Sequence, residues 1–294
     1  MSDKDIDEHT GIETTGHEWD GIKELNQPLP RWWLWTFYAT IIFSIGYVVY
    51  YPAIPLVESS TLGISGQTNR LQLKRDMEAA EESRRDISAR LADADLESIR
   101  KTDELYRFAT AGGKSLYKVY CSQCHGSGAQ GASGYPNLND DDWIWGGDLE
   151  AIYATIKHGV RNDEDDDARD SLMPAFGADE LLENEEIAQV TEYVLKISEQ
   201  EHDSAQANAG METFLENCAA CHGENGAGDR ELGAPNLTDS ISLYGNTRET
   251  INAQIQNPNH GVMPAWQTRL ADRQIKQLAI YVHGLGGGEE AQSE

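Results

Sequence analysis

Two stretches of the chain, VYCSQCHGSG at residues 119–128 and ENCAACHGEN at 216–225, set two cysteines three apart with a histidine directly after the second. Between them they hold all four cysteines of the 294 residues. The likeness runs well past the motif. GKSLYKVYCSQCHGSGAQGASGYPNL, from Gly113, matches GMETFLENCAACHGENGAGDRELGAPNL, from Gly210: Gly, an aromatic (Tyr117 or Phe214), both Cys, His and Gly share their offsets, and each copy later reaches Pro-Asn-Leu. LMPAFG at 172–177 then answers VMPAWQ at 262–267, and each is followed by a helical pattern containing Tyr-Val, EEIAQVTEYVLKI and RQIKQLAIYVHGL. Such self-similarity signals two copies of one plan, expected over residues 105–200 and 205–285. Apolar positions recur at three and four residues with almost no alternation, so both copies are expected to be mainly helical.

Two thiols one helical turn apart can bond the two vinyl groups of a haem as thioethers. The adjacent imidazole then lies under the iron, so attachment and proximal ligation come as one unit. Other uses of the cysteines fit less well. A zinc site pairs its two Cys-x-x-Cys motifs about 15–20 residues apart, whereas these stand in separate repeats. A redox dithiol wants a strand-helix-strand setting that the sequence lacks, and structural half-cystines would not each carry a histidine. Two covalently bound haems c are expected, on Cys121, Cys124 and His125 and on Cys218, Cys221 and His222.

Of five methionines, Met1 is terminal, Met77 lies in a charged linker, and Met211 shares a predicted helix with its own cysteine pair. That leaves Met173 and Met263, each in a Met-Pro-Ala loop downstream of its own histidine, where proline stiffens the backbone that presents the thioether. A buried packing methionine is the bland alternative, which the matched positions in both repeats disfavour. Met173 is expected on the first haem iron and Met263 on the second. A His and Met pair raises the potential relative to two histidines and leaves no open position, which suits electron transfer rather than oxygen binding. His158 and His260, near the Met loops, are open to a propionate hydrogen bond or to a surface or capping role. The run NDEDDDARD at 162–170 fails as a calcium loop, with Ala168 sixth and Pro174 twelfth. It reads as a solvated loop or, alternatively, as a docking patch beside the first haem.

Residues 32–51, WWLWTFYATIIFSIGYVVYY, carry no charge and at about 1.5 Å per residue reach roughly 30 Å, the hydrocarbon thickness of a bilayer. Trp32, Trp33 and Trp35 at one end and Tyr47, Tyr50 and Tyr51 at the other match interfacial aromatic belts, and Pro52 and Pro55 end the helix. An uncleaved anchor over residues 32–57 is expected, because the preceding segment is acidic and no small-residue cleavage pattern follows. Residues 1–31 are polar, with little folding expected. Residues 58–104 read as a charged, helical, largely solvated linker in which Leu73, Met77, Ile87, Leu91 and Leu96 form at most a thin stripe. The formal charge of −27, from 50 Asp and Glu against 23 Lys and Arg, argues against nucleic acid and suits either a basic protein partner or simple solubility. Thioether-bearing cytochrome domains mature outside the bacterial cytoplasm. The N-terminal segment is therefore expected to be cytoplasmic and the C-terminal bulk periplasmic, in agreement with Lys23 and Arg31 preceding the helix.

This order of parts resembles the diheme subunit III family of cbb3-type cytochrome c oxidases over nearly the whole chain. HEWDGIKELNQPLPRWWLWTFYATIIF, from His17, is more discriminating than the haem motifs, which many cytochromes share. The resemblance implies an all-α fold of two tandem class I cytochrome c domains tethered to one N-terminal transmembrane helix in the bacterial inner membrane. It implies the same ligand sets, Cys121, Cys124 and His125 with Met173, and Cys218, Cys221 and His222 with Met263. It also implies a relay that takes electrons from a soluble or membrane-anchored donor cytochrome c and passes them to the monohaem and catalytic subunits, where oxygen reduction and proton pumping occur. With no haem-copper histidine set, the chain is not expected to be an enzyme by itself. Two other readings stay open. A tethered diheme carrier for another respiratory complex differs only in the N-terminal segment, and a diheme peroxidase needs one haem able to open, against two intact Met loops.

Overall fold

The computed structural model describes residues 5–239 and 241–290, so Met1 lies outside the described residues. The chain divides into two compact units at the junction of Ser83 and Arg84. In the first, β1 (Thr14–Trp19) and β2 (Ile22–Leu25) pair antiparallel. Their turn is Asp20-Gly21, with φ of 50° and 84°, the two-residue turn whose twist matches that of its strands. This hairpin departs from the little-folded segment that composition suggests, and the Asp-Gly pair is its cause. Helix α1 (Arg31–Tyr50) starts behind Pro30 and stops at the extended Tyr51, before Pro52. None of its residues is buried by protein, and an apolar face all the way round is what lipid covers. Helix α2 (Asn69–Ser83) buries no side chain either, and Leu73 and Met77 are exposed.

The second unit begins earlier than composition suggests. Helices α3 (Arg85–Asp93) and α4 (Leu96–Lys101) bury Leu91, Leu96 and Ile99 in the same core as Tyr117. The solvated linker therefore ends at residue 83. A sparse stripe stays wet or is buried according to the surface offered to it, and here Lys276 also donates to the carbonyls of Ala92 and Ala94, at 2.8 and 2.9 Å. Helix α5 (Asp103–Tyr120) buries Leu105, Ala109, Gly113 and Tyr117, one residue per four along a single face. There follow α6 (Ser122–His125), α7 (Leu149–His158), α8 (Asn184–Ile197), α9 (Ser204–Asn217), α10 (Ala219–His222), α11 (Arg248–Gln256), a 3-10 turn (Trp266–Thr268) and α12 (Asp272–His283). Asp148, Asp203 and Thr247 cap α7, α9 and α11 by accepting backbone N–H groups of the first turn. Among the described residues the only sheet is the N-terminal hairpin, so the fold is helical.

The repeats do not close on themselves. The helix before the first cysteine motif, α5, packs on α12 at the end of the second repeat, and α9, before the second motif, packs on α8 at the end of the first. One core joins Leu105, Tyr117, Ile152 and Leu278; the other joins Val190, Tyr193, Phe214 and Ile255. The crossings are equivalent. A Cβ on Gly113 would meet the carbonyl oxygen of Gln277 at 2.1 Å, and one on Gly210 that of Gln189 at 2.1 Å. Tyr117 meets the Tyr281 ring at 5.5 Å between centroids, and Phe214 meets Tyr193 at 5.0 Å. On α8, Glu192 accepts from Arg248 of α11 and from the amide of Asp203 at 2.7 Å, binding the exchanged helix to its host. Residues 105–200 and 205–285 are thus repeats in sequence but not separate bodies in space. Both copies carry the same complementary helix faces, so own and exchanged pairings are locally alike, the condition under which elements swap.

Candidate haem sites

Each cysteine motif is built in the same way. The long helix ends at a cysteine, a one-turn helix carries the second cysteine and the histidine, and glycine leaves the turn at positive φ, Gly126 at 82° and Gly223 at 74°. His125 Nδ1 lies 3.1 Å from the carbonyl oxygen of Pro136, and His222 Nδ1 3.0 Å from that of Pro235. A carbonyl only accepts, so the proton sits on Nδ1 and the Nε2 lone pair is left for a metal. These prolines belong to the repeated Pro-Asn-Leu, whose part in the site the repeat alone does not reveal. Burial pushes both imidazoles below the usual histidine range, against the opposing pull of the proline carbonyls, and so keeps them neutral. Tyr117 adds a donor to the Gly126 carbonyl at 2.8 Å.

The thiols are unpaired, with Cys121 and Cys218 half-buried and Cys124 and Cys221 exposed. Burial, and then the neighbouring cysteine, pushes Cys121 and Cys218 up to about 11. A nucleophilic dithiol needs the opposite shift. Among the described residues, the one cluster of three convergent ligand groups is His158, Asp165 and Asp167, and it contains no cysteine. The dithiol and zinc readings find no support in this geometry.

A cavity of about 670 Å³ brings together Cys218, Cys221, His222 and Met173, with Val190 and Phe214 in its wall. Met263 is not in that cavity; it packs with Cys121 against the core of α5 and α12. Within the fold Met173 thus stands with the second cysteine motif and Met263 with the first, whereas the sequence reading set each methionine with the histidine of its own repeat. The cause is the helix exchange, since each Met-Pro-Ala loop travels with the helix that follows it.

Of the other histidines, the two near the Met loops make hydrogen bonds of their own. His260 Nε2 accepts from the Met173 amide at 3.0 Å, and His158 Nδ1 donates to Asp165 at 3.1 Å. Asp165, whose side chain is 6% exposed, also accepts from the Asp167 amide at 2.9 Å and from Gln267. The acidic loop is therefore folded around Asp165, while Asp163, Glu164, Asp166, Asp167 and Asp170 face solvent.

Two helical cores, each with a helix crossing before a Cys-x-x-Cys-His turn, a histidine anchored through Nδ1 and a Met-Pro-Ala loop packed against it, define a tandem c-type cytochrome. Residues 11–58 match the family described as the N-terminal domain of cytochrome oxidase-cbb3, FixP. Residues 108–194 and 205–282 each match the family described as cytochrome c oxidase, cbb3-type, subunit III. The chain is 53% identical to the cbb3-type cytochrome c oxidase subunit CcoP of Cereibacter sphaeroides, over 94% of its own length and 95% of the relative's. It is 50% identical to the subunit FixPc of Rhizobium leguminosarum bv. viciae, over 98% and 100%, and 46% identical to the subunit CcoP of Azospirillum brasilense, over 98% and 100%. The chain belongs to the family of subunit III of cbb3-type cytochrome c oxidases.

Proposed function

We propose that the chain is the membrane-anchored electron relay of a cbb3-type oxidase and carries two haems c with exchanged sixth ligands: His125 and Met263 on the first, His222 and Met173 on the second. The observation that carries the exchange is the cavity shared by Met173 with Cys218, Cys221 and His222. A bound haem c supplies a one-electron couple. The protein's residues would tether it through the cysteines, offer it the histidine Nε2 aimed by the proline carbonyl, and offer it a methionine thioether. Held by both a histidine and a methionine, the group would pass electrons rather than coordinate oxygen or peroxide. The subunit is on this reading not catalytic; oxygen chemistry belongs to the catalytic subunit, reached through the monohaem subunit. Helix α1 sits in lipid, with the N-terminal hairpin on the cytoplasmic side and the haem domains on the periplasmic side. The donor is a basic cytochrome c, soluble or membrane-anchored, attracted by the charge of −27 and by the exposed acids of residues 162–170.

Redox titration of Met173→His and Met263→His tests the ligand sets. Imidazole favours oxidised iron, so each variant keeps a low-spin haem at a lower potential. In a background with Cys218 and Cys221 both changed to alanine, only the first haem is attached. There Met263→His lowers the remaining potential and Met173→His leaves it unmoved. The reverse result would return each methionine to its own repeat.

A further inference from the structure

Arg161 stands where the two exchanged segments cross. Its φ of 48° lies in the left-handed region, which a long side chain adopts only where its surroundings hold it there. The guanidinium Nε donates to the carbonyl of Gly261 at 2.8 Å, and Nη1 to that of Ser171 at 3.1 Å. Gly261 is two residues before Met263, and Ser171 two before Met173, so one side chain holds both methionine loops. Among the described residues Nη2 has no acceptor, and no carboxylate forms an ion pair with this guanidinium. The group is half-buried, and burial works against its charge. It also lines the cavity of Met173 and His222, beside Tyr244 and His260, although it belongs to the first repeat.

A half-buried cation that Asp170 reaches only through space, with no carboxylate in contact, has room for an anion at the wall of the cavity. The haem assigned to this cavity carries two propionate carboxylates, and the planar fork of arginine suits a carboxylate better than a point charge does. We infer that Arg161 is a propionate-binding, positioning residue of the second haem, contributed by the other repeat. Through Ser171 and Gly261 it also ties both methionine loops to that carboxylate. The inference rests on the two-haem reading above. A cation beside the haem disfavours the extra positive charge of oxidised iron, so its removal lowers the potential of the second haem.

The test uses the full chain in detergent, as wild type, Arg161→Gln and Arg161→Lys. Three readouts are compared: haem per chain from the alkaline pyridine spectrum, potentiometric titration, and the propionate bending modes in resonance Raman. Arg161→Gln is expected to keep two haems, to shift a propionate mode, and to lower one potential by about a tenfold step in its reduction equilibrium, about 59 mV for one electron. Arg161→Lys restores most of the potential. Should the glutamine variant lose haem, the lysine variant decides, because a point charge in place of the fork must still shift the propionate mode. Unmoved propionate modes in either haem-bearing variant, or a fall in potential as deep with lysine as with glutamine, would overturn the inference and leave Arg161 as a clamp on the loops alone. Fewer than two haems in the wild type would instead overturn the two-haem reading.

Discussion

Val160 and Met263 exchange both of their backbone hydrogen bonds, Val160 N to Met263 O at 3.0 Å and Met263 N to Val160 O at 2.9 Å. One residue leaves α7 in the first repeat; the other is the methionine of the second. Asn162 reinforces the pair by donating to the Met263 carbonyl at 3.1 Å, and Gly159, with φ of 73°, has no room for a Cβ, which would meet that same oxygen at 2.3 Å. The opposite loop mirrors this, with the Met173 amide donating to His260 of the second repeat. Each methionine is thus positioned by the repeat to which it does not belong.

The two helix crossings should fail in parallel when a methyl group is added. Gly113→Ala and Gly210→Ala each push a Cβ onto a carbonyl oxygen that is part of a packed helix and cannot rotate away. Each is expected to cost about 1–3 kcal/mol, the usual penalty of overpacking. Thermal unfolding of the haem-bearing protein measures it. Unchanged midpoints in both variants would mean that the helices do not cross at these glycines.

Truncation separates the tether from the folded domain. A chain beginning at residue 84 keeps α3 and α4 and is expected to be soluble, red and as stable as the full haem domain. A chain beginning at residue 103 loses the burial of Leu91, Leu96 and Ile99. At about 1.5–3 kcal/mol for each buried side chain, that loss is comparable with the whole stability of a domain. Expression of the two chains side by side, with thermal scans, checks this; equal stability would return residues 84–102 to the linker.

The acidic loop should split into a docking part and a structural part. Reduction by a basic cytochrome c is expected to slow as salt rises, because the screening length falls from about 10 Å at 0.1 M to about 3 Å at 1 M. Changing the exposed Asp166 and Asp167 together to Asn should flatten that dependence. Asp165→Asn instead weakens the hold on His158 and Gln267, and is expected to lower stability while leaving most of the salt slope. A salt slope untouched by the Asp166 and Asp167 change would make the loop a connection and nothing more.

Local chemistry was legible in the residues. The c-type cytochrome class follows from an offset of three between cysteines and a histidine beside the second, the anchor from an uncharged apolar run, and the helices from a period that each segment carries within itself. The hairpin around Asp20-Gly21 was missed by a reading from composition, because its signal is a single dipeptide within a polar segment. Which methionine faces which histidine was not legible. Both Met-Pro-Ala loops hold the same residues and both helix pairs the same kinds of face, so own and exchanged pairings read alike along the chain. The choice rests on contacts between residues far apart in sequence, such as Val160 with Met263 and Glu192 with Arg248. The burial of Leu91 and Ile99 and the position of Arg161 between both loops have the same origin. A side chain's neighbours across the fold, rather than its own sequence context, set what it does there.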